Sequence, residues 1–364
     1  MANHGSISRP YGTEMGQGRT VNESLSNLIV HKGMSLHSKD NRTIELRLSD
    51  PIGQGTMTGY VLSPNLVVCF VDFRCGECPN MTPEPQDKQG HREQEPRERR
   101  GEWFSINYCL EGRCETDIPH VGTAVVGEGD VCISFSHTPD GERHLPRTFR
   151  YPLARYVGIE VFVNTRIVRD PSFSILNEAA HDVGAAWAQA GYSAIFSDEK
   201  SLISQLKRCL ASARTADWGQ AKLAAIELLW TLARQDYGSA TPQTLLAPAQ
   251  LRMAKAAHDQ IEAAPTKPHD ARTIAAEMGV SATTLNEYFA KVYGMTIARY
   301  TRRRRIEIAR NALERGEQVA AAACAAGYSN PSKFSAAFKR ETGVLPSQWS
   351  RGQSPVPSER HRNP

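Results

Sequence analysis

Residues Ile274–Gly294 read IAAEMGVSATTLNEYFAKVYG, and residues Ala321–Trp349 read AAACAAGYSNPSKFSAAFKRETGVLPSQW. Each holds a short apolar stretch, a glycine, a polar residue suited to capping a helix, and a second stretch with apolar positions one helical turn apart. In the first these are Leu285 and Phe289; in the second, Phe334 and Phe338. The turn glycines, Gly279 and Gly327, lie 48 residues apart. Such self-similarity marks a repeated supersecondary unit, here helix, turn, helix. Between the copies TRRRRIEIARNALERG (Thr301–Gly316) carries helical periodicity of its own.

Working outward from that repeat, Asp270 is a good N-cap for the first short helix, whose Ile274, Ala275 and Met278 form an inward stripe. Gly279 permits the left-handed backbone that ends it, and Ser281 caps the next helix. With Leu285 and Phe289 inward, Ala282, Thr283, Asn286 and Glu287 face outward near its start. In helix-turn-helix units that part of the second helix enters the major groove. Asparagine can pair with adenine and glutamate can accept from cytosine N4. In the second copy Asn330–Pro331 is an N-cap and first-turn pair. Phe334 and Phe338 point inward; Ser332, Lys333, Ser335 and Ala336 point outward, and Lys339 and Arg340 are placed for phosphate. Ser281 and Asn330, at the two helix starts, are also expected near the DNA backbone. In the linking helix Ile297, Tyr300, Ile306, Ala309 and Leu313 form the buried side and Gly316 stops it. Arg302–Arg305 span just over one turn, so they cannot share one phosphate. Some should pair with acids such as Glu307; one or two, Arg304 first, should touch backbone.

Charge agrees. Residues 248–352 hold 16 Lys+Arg against 9 Asp+Glu, net +7, whereas residues 1–247 are net −4 and the whole chain is +4. A basic third on a mildly acidic body fits polyanion binding by that third.

The 364 residues exceed one typical domain. Residues 1–24 are polar and are expected to be disordered; they lack the apolar core of a signal peptide, so the chain is expected to stay in the cytoplasm. No run reaches a membrane-spanning length. Residues 25–165 alternate apolar and polar in short runs broken by Gly, Pro and Asp, which suggests an antiparallel barrel or sandwich. The polar stretch 75–100 is read as a disordered insert. Residues 166–238 turn helical: PSFSILNEAAHDVGAAWAQAG, DEKSLISQLKRCLASA and WGQAKLAAIELLWTLARQD are three candidates. They either cap the barrel or pair with a second chain. A linker is expected over 239–250, the basic domain over 251–351, and a disordered tail over 352–364.

Eight cysteines are too few for a disulfide scaffold. Cys75 and Cys78 form a CxxC, but no second pair follows at finger-like spacing, and a plain loop is the reading preferred over a metal or redox site. His120, His137 and His144 are irregularly spaced and no Glu completes a set with them. No cofactor is called for.

The quoted GYSNPSKFSAAFKRETGVLPSQW, with RIEIARNAL (Arg305–Leu313) and IAAEMGVS (Ile274–Ser281), resembles the DNA-binding domain of the AraC/XylS family of bacterial transcription regulators. The resemblance implies two helix-turn-helix units held by the linking helix, each laying a recognition helix in successive major grooves. Base contact would fall on Thr283, Asn286 and Glu287, then on Ser332, Lys333, Ser335 and Ala336. Structural positions would fall on Ile274, Ala275, Gly279, Leu285, Phe289, Gly327, Phe334, Phe338 and Pro346. The implied partners are double-stranded DNA, a small-molecule effector, RNA polymerase and a second copy of the chain. One departure is Ala322, where the family carries a larger aliphatic residue. Such a truncation in a small core costs about 2 kcal/mol, so a less rigid second unit is expected. NYCLEGRCETDI, GEGDVCISFS and YPLARYVGIEVFV more faintly resemble sensing domains of siderophore-responsive members, which implies a cupin-like effector barrel.

The expected architecture is therefore α+β: an antiparallel, cupin-like β-barrel with appended helices, then an all-α tandem helix-turn-helix domain. The expected function is sequence-specific transcription regulation, not catalysis. The competing readings are a regulator without effector, a cupin-type enzyme fused to a DNA-binding module, and an architectural DNA binder.

Overall fold

The computed structural model describes residues 33–79, 103–118, 122–135, 148–176, 193–237, 245–267 and 269–351. The expectations for residues 1–24 and 352–364, for most of the 75–100 insert, and for His120, His137 and His144 lie outside those residues.

The front of the chain is an antiparallel meander: β1 (Met34–Ser38), β2 (Thr43–Leu48), β3 (Gln54–Ser63) and β4 (Leu66–Arg74). Asp40 shapes its first turn by accepting from the Arg42 and Thr43 amides at 2.7 Å each. The β3–β4 turn falls at Pro64–Asn65, where the Asn65 amide donates to the Ser63 hydroxyl at 3.1 Å. The remaining strands are β5 (Glu77–Pro79), β6 (Trp103–Ile118), β7 (Gly122–Gly127), β8 (Asp130–Phe135), β9 (Thr148–Arg150) and β10 (Tyr156–Asn164). Two short ones complete the set, β11 (Ser193–Ser197) and β12 (Leu245–Leu246).

The sixteen-residue β6 joins two sheets. Its first half pairs with β10 and β8; its second pairs with β7 and, at Glu115, with β9. Gly112 sits between the halves at φ +89°, where a Cβ would run into the Arg155 carbonyl. There β10 shifts register between Val157 and Gly158. A glycine bend and an irregular partner let one strand serve both layers.

The alternation of β4 defines the layers. Val67, Cys69, Val71 and Phe73 belong to a core between the sheets, shared with Cys109, Cys114, Val126, Tyr151 and Tyr156. Leu66 and Val68 face the other way, into a core closed by α1 (Lys200–Arg214) and α2 (Trp218–Ala233). Those helices bury Leu202, Leu206, Leu210, Leu228, Leu229 and Leu232 on the sheet, so they cap the barrel, while Leu223 of α2 stays 53% exposed.

Three segments differ from the sequence reading. Where a helix is expected from Pro171, the chain forms a 3₁₀ segment (Pro171–Leu176), kinked at Phe173, which is itself buried in the outer core. Ser193–Ser197 is a strand on the edge of β8 rather than part of a helical connector. The expected linker contributes β12, paired with Thr123 and Ala124 of β7. Gly122 makes room for it: a Cβ there would stand 2.6 Å from the Leu246 carbonyl. Each depends on a partner distant in sequence, which local periodicity does not report.

The C-terminal part is all helical: α3 (Pro248–Ala263), α4 (Ala271–Glu277), α5 (Ala282–Tyr293), α6 (Ile297–Glu314), α7 (Val319–Ala325), α8 (Pro331–Thr342) and α9 (Pro346–Trp349). Two cores fill it. The first holds α3, α4, α5 and the start of α6 and takes in Val125 and Leu246 of the barrel; the second holds the rest of α6 with α7 and α8.

Candidate nucleic-acid interface

The first unit is α4–turn–α5. Asp270 accepts from the Arg272 amide at 3.1 Å, and Ile274 and Ala275 are buried. Gly279 turns at φ +69°. The Ser281 hydroxyl then accepts from the Thr284 amide at 3.0 Å, and Leu285 and Phe289 anchor α5. Thr283 and Glu287, four residues apart on one face, are exposed.

Asn286 is engaged differently. It is half-buried; its Nδ2 donates to the Ala282 carbonyl at 3.0 Å and its Oδ1 accepts from the Ile297 amide at 3.0 Å. Ile297 opens α6, so this side chain ties the second helix of the unit to the linking helix. Its amide serves the fold in place of standing free for a base edge.

The second unit is α7–turn–α8. The alanine-rich α7 buries Ala322 and Ala323, with Ala326 behind it, and the volume is supplied by rings. Tyr328, Phe334, Phe338 and Trp349 follow one another at centroid distances of 5.4, 5.6 and 5.9 Å. Gly327 turns at φ +75°, and a Cβ there would run into the Thr266 carbonyl. Asn330 accepts from the Lys333 amide at 3.0 Å with Pro331 in the first turn, and Gly343 ends α8 in the left-handed region. Pro346 is buried. Ser332, Lys333, Ala336, Lys339 and Arg340 are exposed, and Ser335 is half-buried.

The four arginines divide by direction around α6. Arg302 pairs with Glu341 at 2.7 Å. Arg304 binds both Glu262 oxygens, at 2.7 and 2.8 Å, and also Glu307. The expected backbone contact is therefore a strut between α3 and α6. Burial pushes the Glu262 carboxyl up, but hydrogen bonds from Arg304 and Tyr300 outweigh it and hold it below the usual range. Arg305 donates to the Ala326 carbonyl at 2.7 Å and to the Gly327 carbonyl, and lies 3.9 Å over the Tyr328 ring. It closes the C-terminal end of α7, where cations are favoured. Arg303 is exposed and has no ion pair among the described residues.

Between the units lies a cleft of about 490 Å³, lined by His269, Thr301, Arg302, Arg305, Tyr328, Lys333, Ala336 and Arg340. It joins three residues singled out on α8 to two linking-helix arginines that the sequence reading did not assign. Lys333 and Arg340 carry no ion-pair partner among the described residues, so their charge is available to a polyanion. The arginine run was the available signal, but spacing alone could not say which member faces α8.

The CxxC packs into the apolar core. Cys75 and Cys78 are buried at the inter-sheet core; burial pushes the first thiol up to about 11 and the second higher still. Thiolate, the form that binds metal or reacts, is disfavoured there.

Two helix-turn-helix units sit on one linking helix, with exposed faces on both second helices, an arrangement suited to the grooves of duplex DNA. The comparisons agree: residues 274–352 match the family described as a helix-turn-helix domain, and the C-terminal part of the chain is an AraC-type domain. The HTH-type transcriptional activator RhaR of Klebsiella pneumoniae is 30% identical over 151 residues, 41% of this chain and 53% of the relative. The chain thus spans about half the length of that curated relative. A probable AraC family transcriptional regulator from Rhodopseudomonas palustris is 25% identical, over 29% of this chain and 99% of that one, at a TM-score of 0.26. Fatty acid-bound ToxT from Vibrio cholerae is 12% identical, over 79% of this chain and 95% of that one, at a TM-score of 0.29. Among the described residues no helix is long and apolar enough to cross a membrane.

Proposed function

We propose that the protein is a sequence-specific DNA-binding transcription regulator whose barrel holds a small-molecule effector and biases the DNA-binding units. The observation that carries the reading is the pair of exposed faces, Thr283 and Glu287 on α5 and Ser332, Lys333 and Ala336 on α8, set on a third of net charge +7. Polar edges of this kind suit base readout, while Lys339 and Arg340 suit phosphate. The barrel supports the effector half of the reading because it packs directly on the first unit: Val125 and Leu246 share its core, and Arg113 donates to the Lys291 carbonyl at 3.0 Å. A ligand that shifts the barrel therefore has a packed route to α5.

The test is binding of the full chain to pooled double-stranded genomic fragments across a salt series. A regulator retains a preferred site with a steep salt slope. Binding without sequence preference at every salt contradicts the reading and favours an architectural role.

A further inference from the structure

The two faces of the barrel's central strands differ in a way that the fold alone does not require. On β10 and β6, the side turned to α1 and α2 is closed: Phe104, Ile106, Ile159, Val161 and Val163 are all buried. The opposite side, facing the space between the sheets, buries Cys109, Cys132, Tyr156 and Ile195 but leaves Glu160, Phe162, Ser105 and Asn107 half-buried in mid-sheet, with Ser134 and Ser193 half-buried toward the β11 edge. Strand register sets them in two rows. Glu160 stands opposite Asn107; beside them Phe162, Ser105, Ser134 and Ser193 run across β10, β6, β8 and β11 in order. Accessible surface at Glu160 and Asn107, in the middle of the sheet, leaves that part of the inner face within reach of a ligand.

The row is polar where an inter-sheet core is ordinarily apolar. Asn107 donates from Nδ2 to Glu160 Oε1 at 2.9 Å, and its Oδ1 accepts from the Tyr156 hydroxyl. This fixes the amide's orientation and leaves Glu160 Oε2 without a protein donor among the described residues. The Ser134 and Ser193 hydroxyls lie 3.0 Å apart. No Lys, Arg or His among the described residues pairs with Glu160. A carboxyl with one free oxygen and no counter-ion, in a hollow floored by hydroxyls and one ring, is complementary to a hydrogen-bond-donating cation. An anionic ligand would meet like charge at that oxygen.

We propose that the inner face of the barrel is a binding site for a small cationic amine on an alkyl or aryl arm. Glu160 is its counter-ion, the Ser105–Ser134–Ser193 row holds its neighbouring polar groups, and Phe162 packs on its arm. The proposal rests on the regulator reading, since it names the effector class for the same barrel. Burial holds the free Glu160 carboxyl near 7, so an amine would draw it into the charged form.

The test is thermal unfolding of the full chain at pH 7.5 with phenethylamine and 1,4-diaminobutane, each against its neutral isostere, 2-phenylethanol and 1,4-butanediol. Binding at about a hundredfold above Kd should raise the midpoint by about 4 °C or more for at least one amine. The matching alcohol should do nothing, and Glu160→Gln, checked for fold by circular dichroism, should lose the shift. No shift with either amine, an equal shift with its alcohol, or a shift that survives Glu160→Gln overturns the proposal. Should Glu160→Gln not fold, the amine-against-alcohol comparison on the wild-type chain decides alone. Genomic-fragment binding without ligand is scored separately: its loss overturns the regulator reading, whereas a site-specific protein indifferent to amines overturns this proposal only.

Discussion

Lys255, on the first helix of the DNA-binding third, reaches Glu115 in the barrel at 2.8 Å, and Arg150 approaches the same carboxylate oxygen at 3.0 Å. Glu115 is 1% exposed, so the joint between barrel and helices contains a buried carboxylate shared by two cations. Removing one partner of a buried pair is costly because the other is left uncompensated. Glu115→Ala takes away the buried carboxylate that Lys255 and Arg150 share and is expected to lower stability by about 3 kcal/mol. Lys255 is 37% exposed and therefore screened, so Lys255→Met should cost about 1 kcal/mol or less. It should nonetheless speed amide exchange in α3 and β12 while leaving β2–β4 unchanged. Equal losses from the two variants would contradict this account of the joint.

Asn286 bridges the Ala282 carbonyl and the Ile297 amide. Asn286→Ala should therefore cost about 1 kcal/mol or more in stability, since the Ile297 amide loses its side-chain acceptor and the tie between the two helices is cut. Glu287→Gln and Thr283→Ala, on the exposed face, should leave the melting midpoint alone and change site preference. Chemical denaturation beside a binding-site selection separates the two classes. A stable Asn286→Ala with relaxed preference at one base would return this residue to direct readout.

Much of the C-terminal third was legible because its signals are local. Asp270, Ser281 and Asn330–Pro331 cap helices within three residues of themselves, and Gly279 and Gly327 bend where a left-handed backbone is needed. What stayed hidden depends on partners far away in sequence. Arg304 and Arg305 look alike in a run of four; only the positions of Glu262 and the Ala326 carbonyl distinguish a strut from a helix cap. β12 is two residues long and exists because β7 offers an edge. The polarity of the barrel interior was equally hidden, since Glu160 lies within YVGIEVFVN, which reads as an ordinary buried strand.

Gly279 and Gly327 have similar backbone angles but different surroundings. Nothing stands within 4 Å of a Cβ at Gly279, whereas one at Gly327 would strike the Thr266 carbonyl. Gly279→Ala should cost about 1 kcal/mol, the penalty for the left-handed region alone. Gly327→Ala should cost clearly more, because the contact between the units must open as well. Urea midpoints of the two variants give the comparison, and equal shifts would contradict the packing described for the second unit.

Glu160 ties stability to pH. Burial raises its carboxyl from 4.5 to about 7, with only the Asn107 hydrogen bond opposing. The groups that interact with it are the thiols of Cys69, Cys78 and Cys114 and the phenols of Tyr151 and Tyr156, none of them a cation. Between those two pH values the folded state keeps a proton that the unfolded state has lost. Its contribution is therefore full below about 4.5 and lost as pH rises through about 7. Relative to wild type, Glu160→Gln should gain stability over that window and level off above it. A difference flat from pH 4 to 8 would contradict the burial of this carboxyl.

The central claim is that the basic third reads DNA through two unequal faces. It is tested most directly by the affinity of the full chain for a duplex carrying its selected site and for scrambled DNA, measured across salt for wild type, Arg340→Ala and Glu287→Gln. Wild type should prefer its site at every salt. Arg340→Ala should weaken both duplexes alike and flatten the slope of log K against log salt by about 0.9, the loss of one phosphate contact. Glu287→Gln should keep the slope and lose preference at one base pair. Equal affinity of wild type for the two duplexes, or an unchanged slope in Arg340→Ala, would contradict the account.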